Sequence, residues 1–294
     1  MARSCAGAFE DCGAAGAAAQ ARLRPAREAD LQHARALCRE YGVTLSLAAA
    51  DLATPAEGQV LWVDPAPGLA GLARLPGSGP AWRAQAGCTL GALKAAGLPQ
   101  FAPWPDDMTV AAWLAGPAGA ASPPGACAPG VRAVSLMFGD GVQERLGPFG
   151  TADVEPLRSA AVQRLVPALF ELCGGADAAL CLAQPVWPAR FRLDALRPAD
   201  PAAVNLARLL AGHGGSLAWV ESVDLVAEES GVPAGSAGPP TAEGAAAAAG
   251  QGAGTAADPT APEAIALRLA VEYIDGHAKV LFDPLGLFPA MPAA

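Results

Sequence analysis

Aromatic and basic residues are scarce in this chain. Its 294 residues hold two Tyr, eight Phe and six Trp, and 19 Lys and Arg stand against 28 Asp and Glu, for a net charge of −9. That balance excludes nucleic-acid binding, which needs clustered cations at the phosphates. Long apolar runs are also missing: none reaches the roughly 18–20 residues that span a bilayer. Glu10 and Asp11 stand where a signal peptide would have its apolar core. A cytoplasmic protein with a disordered tail over residues 1–21 is therefore expected. The seven cysteines, at 5, 12, 38, 88, 127, 173 and 181, form no CxxC pair. Neither a metal centre nor a disulfide framework is expected, and the thiols read as small apolar residues. There is no GxSxG, Walker loop, HExxH or Rossmann GxGxxG.

What is present is enough apolar chain to bury a sizeable core, in one large domain or two modest ones. Arg22 to Gly42 reads as a helix with Pro25 near its start, and Leu31, Ala34, Leu37 and Cys38 share a face. Val43–Leu47, Val60–Asp64 and Ala81–Ala86 read as strands, the second buried on both faces. A helix follows Thr89, and a hairpin turns around Gly139-Asp140-Gly141 between Val131–Phe138 and Val142–Leu146. In the second half, Glu155 to Cys173 and Pro201 to Gly212 read as helices, the latter capped by Asp200. Arg190–Leu196, Ser216–Val226 and Ala264–Tyr273 read as strands, and Asp275–Phe282 as a final helix. Residues 230–262, almost without large apolar side chains, read as a disordered insertion. This order implies a small open-faced sheet with helices on one side in the second half.

Several segments, in order, resemble FAD-linked oxidases of the vanillyl-alcohol oxidase, or PCMH, type. Arg24 to Ser46 is similar to the family's opening helix and strand, and Val60-Leu61-Trp62-Val63-Asp64 to its next strand. Ala84 to Leu93, AQAGCTLGAL, is similar to the family's "v-x-A-G-x-T-L-G-x-L". Pro103 to Ala115 resembles its "P-x-x-x-x-T-I-G-G-x-I-A", and Val131 to Leu146 the hairpin that follows. Lys279 to Phe288, KVLFDPLGLF, resembles its closing "K-x-x-F-D-P-x-G-i-f". In length and style the chain is similar to the smaller FAD-binding subunit of bacterial glycolate oxidase.

The resemblance implies an α+β protein. A PCMH-type FAD-binding module of two small α/β subdomains would span residues 22–150. A reduced, ferredoxin-like cap would span 151–294, with 276–289 packing back on the module. It implies a flavin that accepts a hydride from a 2-hydroxy acid, and partner subunits in a heteromeric oxidase complex. The FAD contacts it implies are the backbone groups of Ala48, Ala49, Ala50 and Asp51, of Gly87, Thr89, Leu90 and Gly91, and of Thr109, Val110, Ala111 and Ala112. No residue is assigned as catalytic.

The phosphate-binding positions depart from the family pattern. A diphosphate needs converging amides, which glycine provides most readily, yet Ala48-Ala49-Ala50-Asp51 stand where the family has glycines. An Ala forced into the left-handed region costs about 1–2 kcal/mol. A carboxylate about 5 Å from a phosphate charge adds about 3 kcal/mol of repulsion at an effective dielectric of about 20. Ala111-Ala112 likewise replace two glycines, and Pro289-Ala290-Met291 replaces the terminal Asn-Pro-Gly. A second expectation therefore stands beside the first: a non-catalytic scaffold subunit in which FAD is weak or lost.

Other positions have competing readings. Gly87 and Gly91 serve either a cofactor or a strand-to-helix turn, and Thr89 reads as an N-cap. Asp106 and Asp107 read as a solvated turn before an acid/base pair, and Trp62, Trp82, Trp104 and Trp113 as core before flavin contacts. His213, in the glycine-rich Ala211–Gly215 loop, is the histidine best placed for chemistry, although a helix C-cap explains the same loop. His33 and His277 read as helix-surface residues.

Overall fold

The computed structural model describes residues 5–12, 20–49, 58–77, 79–116, 128, 130–150, 154–228 and 261–290. Ala50, Asp51 and nearly all of the expected insertion lie outside them.

The chain folds as α+β around two sheets. The first joins β1 (Ala8–Asp11), β2 (Gln20–Arg24), β4 (Val60–Val63) and β3 (Thr44–Leu47), in that order. β2, β4 and β3 run parallel, with Leu23 opposite Val63 and Leu47 opposite Val63 on its other side. α1 (Glu28–Tyr41) connects β2 to β3 and lays Leu31, Ala34 and Cys38 on the sheet. The second sheet is antiparallel: β5 (Leu72–Arg74), β6 (Ala81–Gln85), β9 (Trp219–Val226), β7 (Val131–Met137) and β8 (Gln143–Leu146). Neither sheet keeps to the expected bounds of 22–150, since β1 lies before them and β9 after them.

Between β6 and β7 run two short helices, α2 (Leu90–Ala95) and α3 (Val110–Ala115). The larger core packs them, with α4 (Ala160–Gly174), α5 (Ala176–Leu182) and α6 (Pro262–Phe282), against the second sheet. The smaller core fills the seam between the sheets. Leu45, Leu47 and Val63 meet Ala111, Met137 and Trp219 there.

Several expectations change. Residues 20–24 are a strand, because the residue before Pro25 is held extended; the helix starts at Glu28. Ala8–Asp11, within the expected tail, pairs with β2, and Asp30 anchors that region by accepting the amides of Ala6 and Ala26 at 3.0 Å each. The helix expected from Glu155 starts at Ala160, capped by Ser159. Arg190–Leu196 is no strand: Asp275 accepts the amides of Arg190 and Phe191, and a 3₁₀ turn runs over Leu193–Leu196. Pro201–Gly212 is two 3₁₀ turns, since Asn205 between them accepts the amide of Ala207 and donates to the carbonyls of Val131 and Arg132.

Ala264–Tyr273 is the first half of α6. Pro262 at its first turn and buried Ala270, Ile274, Ala278 and Phe282 give a helical period that outweighs the β-branched residues. Among the described residues the second half forms no sheet of its own. Its one strand, β9, sits between β6 and β7.

Candidate functional site

Of the residues expected to hold a cofactor, those at 87–91 and 109–112 converge on the seam where α2 and α3 begin. Thr89 and Thr109 lie side by side in an antiparallel bridge, and each caps its helix, accepting the amides of Ala92 at 3.3 Å and Ala112 at 3.2 Å. The two helix starts bind each other. Leu90 donates its amide to the carbonyl of Met108, and Val110 to that of Cys88, both at 2.8 Å. Gly91 donates to Asp106, Ala111 to Ala86 and Gly87 to Leu69. The amide of Ala48 goes to Val63 at 2.8 Å, and Ala49 packs beside the smaller core.

Gly87 and Gly91 are sites of close chain approach. A Cβ on Gly87 would lie 2.5 Å from the carbonyl oxygen of Pro65, and one on Gly91 would lie 3.1 Å from Asp106.

The wall opposite is the glycine loop after residue 211. Gly212, Gly214 and Gly215 all have positive φ, the region that favours glycine. The first two donate to the carbonyls of Leu114 and Ala115 at 2.8 Å each, so the loop is tied to the end of α3. His213 is only 2% exposed. Burial, then the positive charges of Arg190 and Lys279, push its pKa down to about 3, so the ring is neutral. Neither ring nitrogen of His213 finds a partner among the described residues, nor does Nε1 of buried Trp219. Both side chains line a cavity of about 10 Å³ with Leu45, Leu47, Ala111 and Val220. That volume holds one water molecule.

The closing segment seals the far side. Asp283, 3% exposed, accepts Nζ of Lys279 at 2.6 Å and the amides of Leu287 at 3.1 Å and Phe288 at 2.9 Å. Lys279 also donates to the carbonyls of Ser216 at 2.6 Å and Phe288 at 3.3 Å. The carbonyl of Leu287 accepts the amide of Leu45 at 2.9 Å, so the free edge of β3 is bound by this segment. The sequence places Lys279 and Asp283 in the family-like closing motif without assigning them a role, although their i, i+4 spacing at a helix end was a visible signal.

The other readings resolve locally. Asp106 is exposed and paired with Lys94 at 2.6 Å, and Asp107 is exposed beside it. Trp113 is core, edge-on to Phe101 at 4.9 Å, while Trp62, Trp82 and Trp104 are half-buried. His277 is exposed on Tyr273, and His33 lies half-buried on α1. Burial pushes the thiols of Cys38 and Cys181 up to about 12 and about 11. Among the described residues no His, Cys, Asp and Glu cluster suited to a metal occurs. No single helix there is long and apolar enough to cross a membrane; α4 and α5 pass that test only together, across a 68° bend.

No protein-family model matches the chain, and no curated protein does. Solved structures do. A variant of cholesterol oxidase from Brevibacterium sterolicum is similar at 14% identity and a TM-score of 0.42, over 75% of this chain and 38% of that one. Alkyldihydroxyacetonephosphate synthase gives 12%, 0.41, 71% and 34%. A VAO-type flavoprotein from Myceliophthora thermophila gives 12%, 0.39, 70% and 31%. The chain thus spans about a third of the length of each.

Among the described residues, most of the amides expected at FAD are not open to it. Its diphosphate requires amides directed at it, and those of Ala48, Gly87, Leu90, Gly91, Val110, Ala111 and Ala112 are already bonded within the chain. The cavity beside them has room for a water and not for a ring system.

Proposed function

We propose that this chain is a non-catalytic subunit built on the two-part module of FAD-linked oxidases, with FAD held weakly or not at all. The observation that carries the reading is the internal commitment of the amides of Gly87, Cys88, Leu90 and Gly91 and of Val110, Ala111 and Ala112. The ordered run of family-like segments from Arg24 to Phe288 supports descent from flavin oxidases, and Ala48–Asp51 in the phosphate loop supports loss of the cofactor. As a scaffold, the chain would present its surface to other subunits of a heteromeric complex. The test is the visible spectrum of the freshly purified protein, followed by thermal-shift titration with FAD. A ligand that binds the native state raises stability once it exceeds its dissociation constant. A colourless protein with no shift at millimolar FAD is expected; a yellow protein overturns the proposal.

A second reading is an FAD-dependent oxidoreductase acting on a small 2-hydroxy acid. One observation favours it: the unpartnered nitrogens of His213 and Trp219 face the seam from buried positions, where an incoming polar group would satisfy them. Flavin would supply the hydride chemistry in that case. Bleaching of a bound flavin by a 2-hydroxy acid without oxygen would establish it.

A further inference from the structure

A cavity of about 260 Å³ lies between the β7–β8 turn, α4 and the closing segment after α6. It shares no lining residue with the cavity at the seam. Its floor is apolar: the rings of Phe138 and Phe282 approach to 6.3 Å, and Leu165 beside them is also buried. Its walls are fixed within the chain. Arg35 donates to the carbonyl of Gly139 at 3.3 Å, and a Cβ on Gly139 would lie 2.8 Å from Oδ1 of Asp283. The turn is thus pressed onto a carboxylate that Lys279, Leu287 and Phe288 already hold. A preformed apolar cavity with a few polar groups is the form of a small-molecule site.

Two opposite charges stand at its rim. Asp140, in the turn, and Arg164, on α4, both line the cavity, and both are exposed. Each is half committed to its own backbone. Oδ1 of Asp140 accepts the amide of Val142 at 2.9 Å, and Nε of Arg164 donates to the carbonyl of Ala160 at 3.1 Å. Oδ2 of Asp140 and both Nη groups of Arg164 stay open. Among the described residues neither charge has an ion-pair partner, and the two do not pair with each other.

We propose that this cavity binds a free α-amino acid with an aliphatic side chain of leucine's size. The side chain lies on Phe138 and Phe282, the α-carboxylate meets Arg164, and the α-ammonium meets Asp140. A guanidinium presents paired donors that match a carboxylate. Charge selects a zwitterion over other amphipathic molecules. An anion would meet Asp140 and a chain carrying −9, and a cation would meet Arg164. A zwitterion carries no net charge and satisfies both groups. At about 30 Å³ for each water-sized group, the cavity takes about nine heavy atoms, as many as leucine has. The site does not depend on whether the seam holds FAD.

Isothermal titration calorimetry of the full chain with L-leucine tests this. Two analogues serve as controls: 4-methylpentanoate, which lacks the amine, and 3-methylbutylamine, which lacks the carboxylate. Leucine is expected to bind with a dissociation constant of about 1 mM or below, and each analogue about tenfold more weakly. Asp140→Asn keeps the acceptor that holds Val142, and Arg164→Gln changes an exposed helix position, so both variants should fold. Each is expected to weaken leucine about tenfold at an unchanged thermal midpoint. Ala161→Leu fills the cavity from α4 and is expected to abolish binding with both charges in place. A wild-type chain that does not bind leucine overturns the proposal. So does an analogue that binds as tightly as leucine, or a charge variant that keeps full affinity.

Discussion

Nζ of Lys279 lies 2.6 Å from Oδ2 of Asp283, one helical turn further on, and the carboxylate is fully enclosed. Burial pulls the pKa of Lys279 down from its ordinary value, and the hydrogen bond and charge of Asp283 pull it back up. The pair joins the end of α6 to the glycine loop through Ser216, and to the closing segment through Leu287 and Phe288.

Replacing Asp283 by Ala strands a buried ammonium and two buried amides. The expected cost is about 3–5 kcal/mol, the range for breaking one side of a buried pair. Urea denaturation measures it, as a lower midpoint at an unchanged slope.

His213 makes stability depend on pH. Its folded pKa, about 3, lies below its unfolded value, so the unfolded chain binds the extra proton. The contribution is complete above about pH 6.5 and falls by up to about 1.4 kcal/mol per pH unit as the pH drops toward 3. Most carboxylates add their own effects below about pH 5, and burial raises the pKa values of Glu221 and Asp275 above their ordinary range. The diagnostic quantity is therefore the difference from a variant without the imidazole between about pH 6.5 and 5. Across that interval, denaturation should show stability rising more with pH in the wild type than in His213→Phe.

Two glycines should respond to alanine in opposite directions. Gly87→Ala drives a methyl to 2.5 Å from the carbonyl oxygen of Pro65 and should destabilise by at least about 2 kcal/mol. Gly276→Ala enters open space in mid-helix and should stabilise the fold by about 0.5–1 kcal/mol. Thermal melts of the two variants beside wild type read both signs.

Thiol reactivity should follow burial. Cys12 is exposed, whereas Cys38, Cys88, Cys173 and Cys181 are buried with raised pKa values. Iodoacetamide on the native protein at pH 8 should modify Cys12 and spare those four until denaturant is added, as peptide mapping would show.

What the sequence revealed was mostly local. The Gly139-Asp140-Gly141 turn, the Thr89 cap and the apolar run at Val60–Val63 all depend on neighbours a few residues away, and all three are in place. What stayed hidden depends on distant partners. Arg190–Leu196 has the composition of a strand, but its first amides are taken by Asp275, some 85 residues later. The β-branched residues of Ala264–Tyr273 suited a strand until the buried period was read through to Phe282. At the candidate site the sequence indicated which positions gather at the seam, since Thr89 and Thr109 do meet. It could not show that those amides donate to carbonyls of the facing segment, because that pairing joins two loops about 20 residues apart.

The place of β9 has a consequence for how the chain assembles. It is the middle strand of the second sheet, yet it is the last of the five in sequence. Until residue 226 has been made, β5–β6 and β7–β8 are two separate hairpins, each with an open edge where β9 belongs. Such edges invite pairing with other chains, and closing them demands contacts of long sequence separation, which form slowly. A ribosome-bound chain stopped after Leu146 should therefore aggregate or recruit chaperones, and release from that state should coincide with the arrival of a single strand.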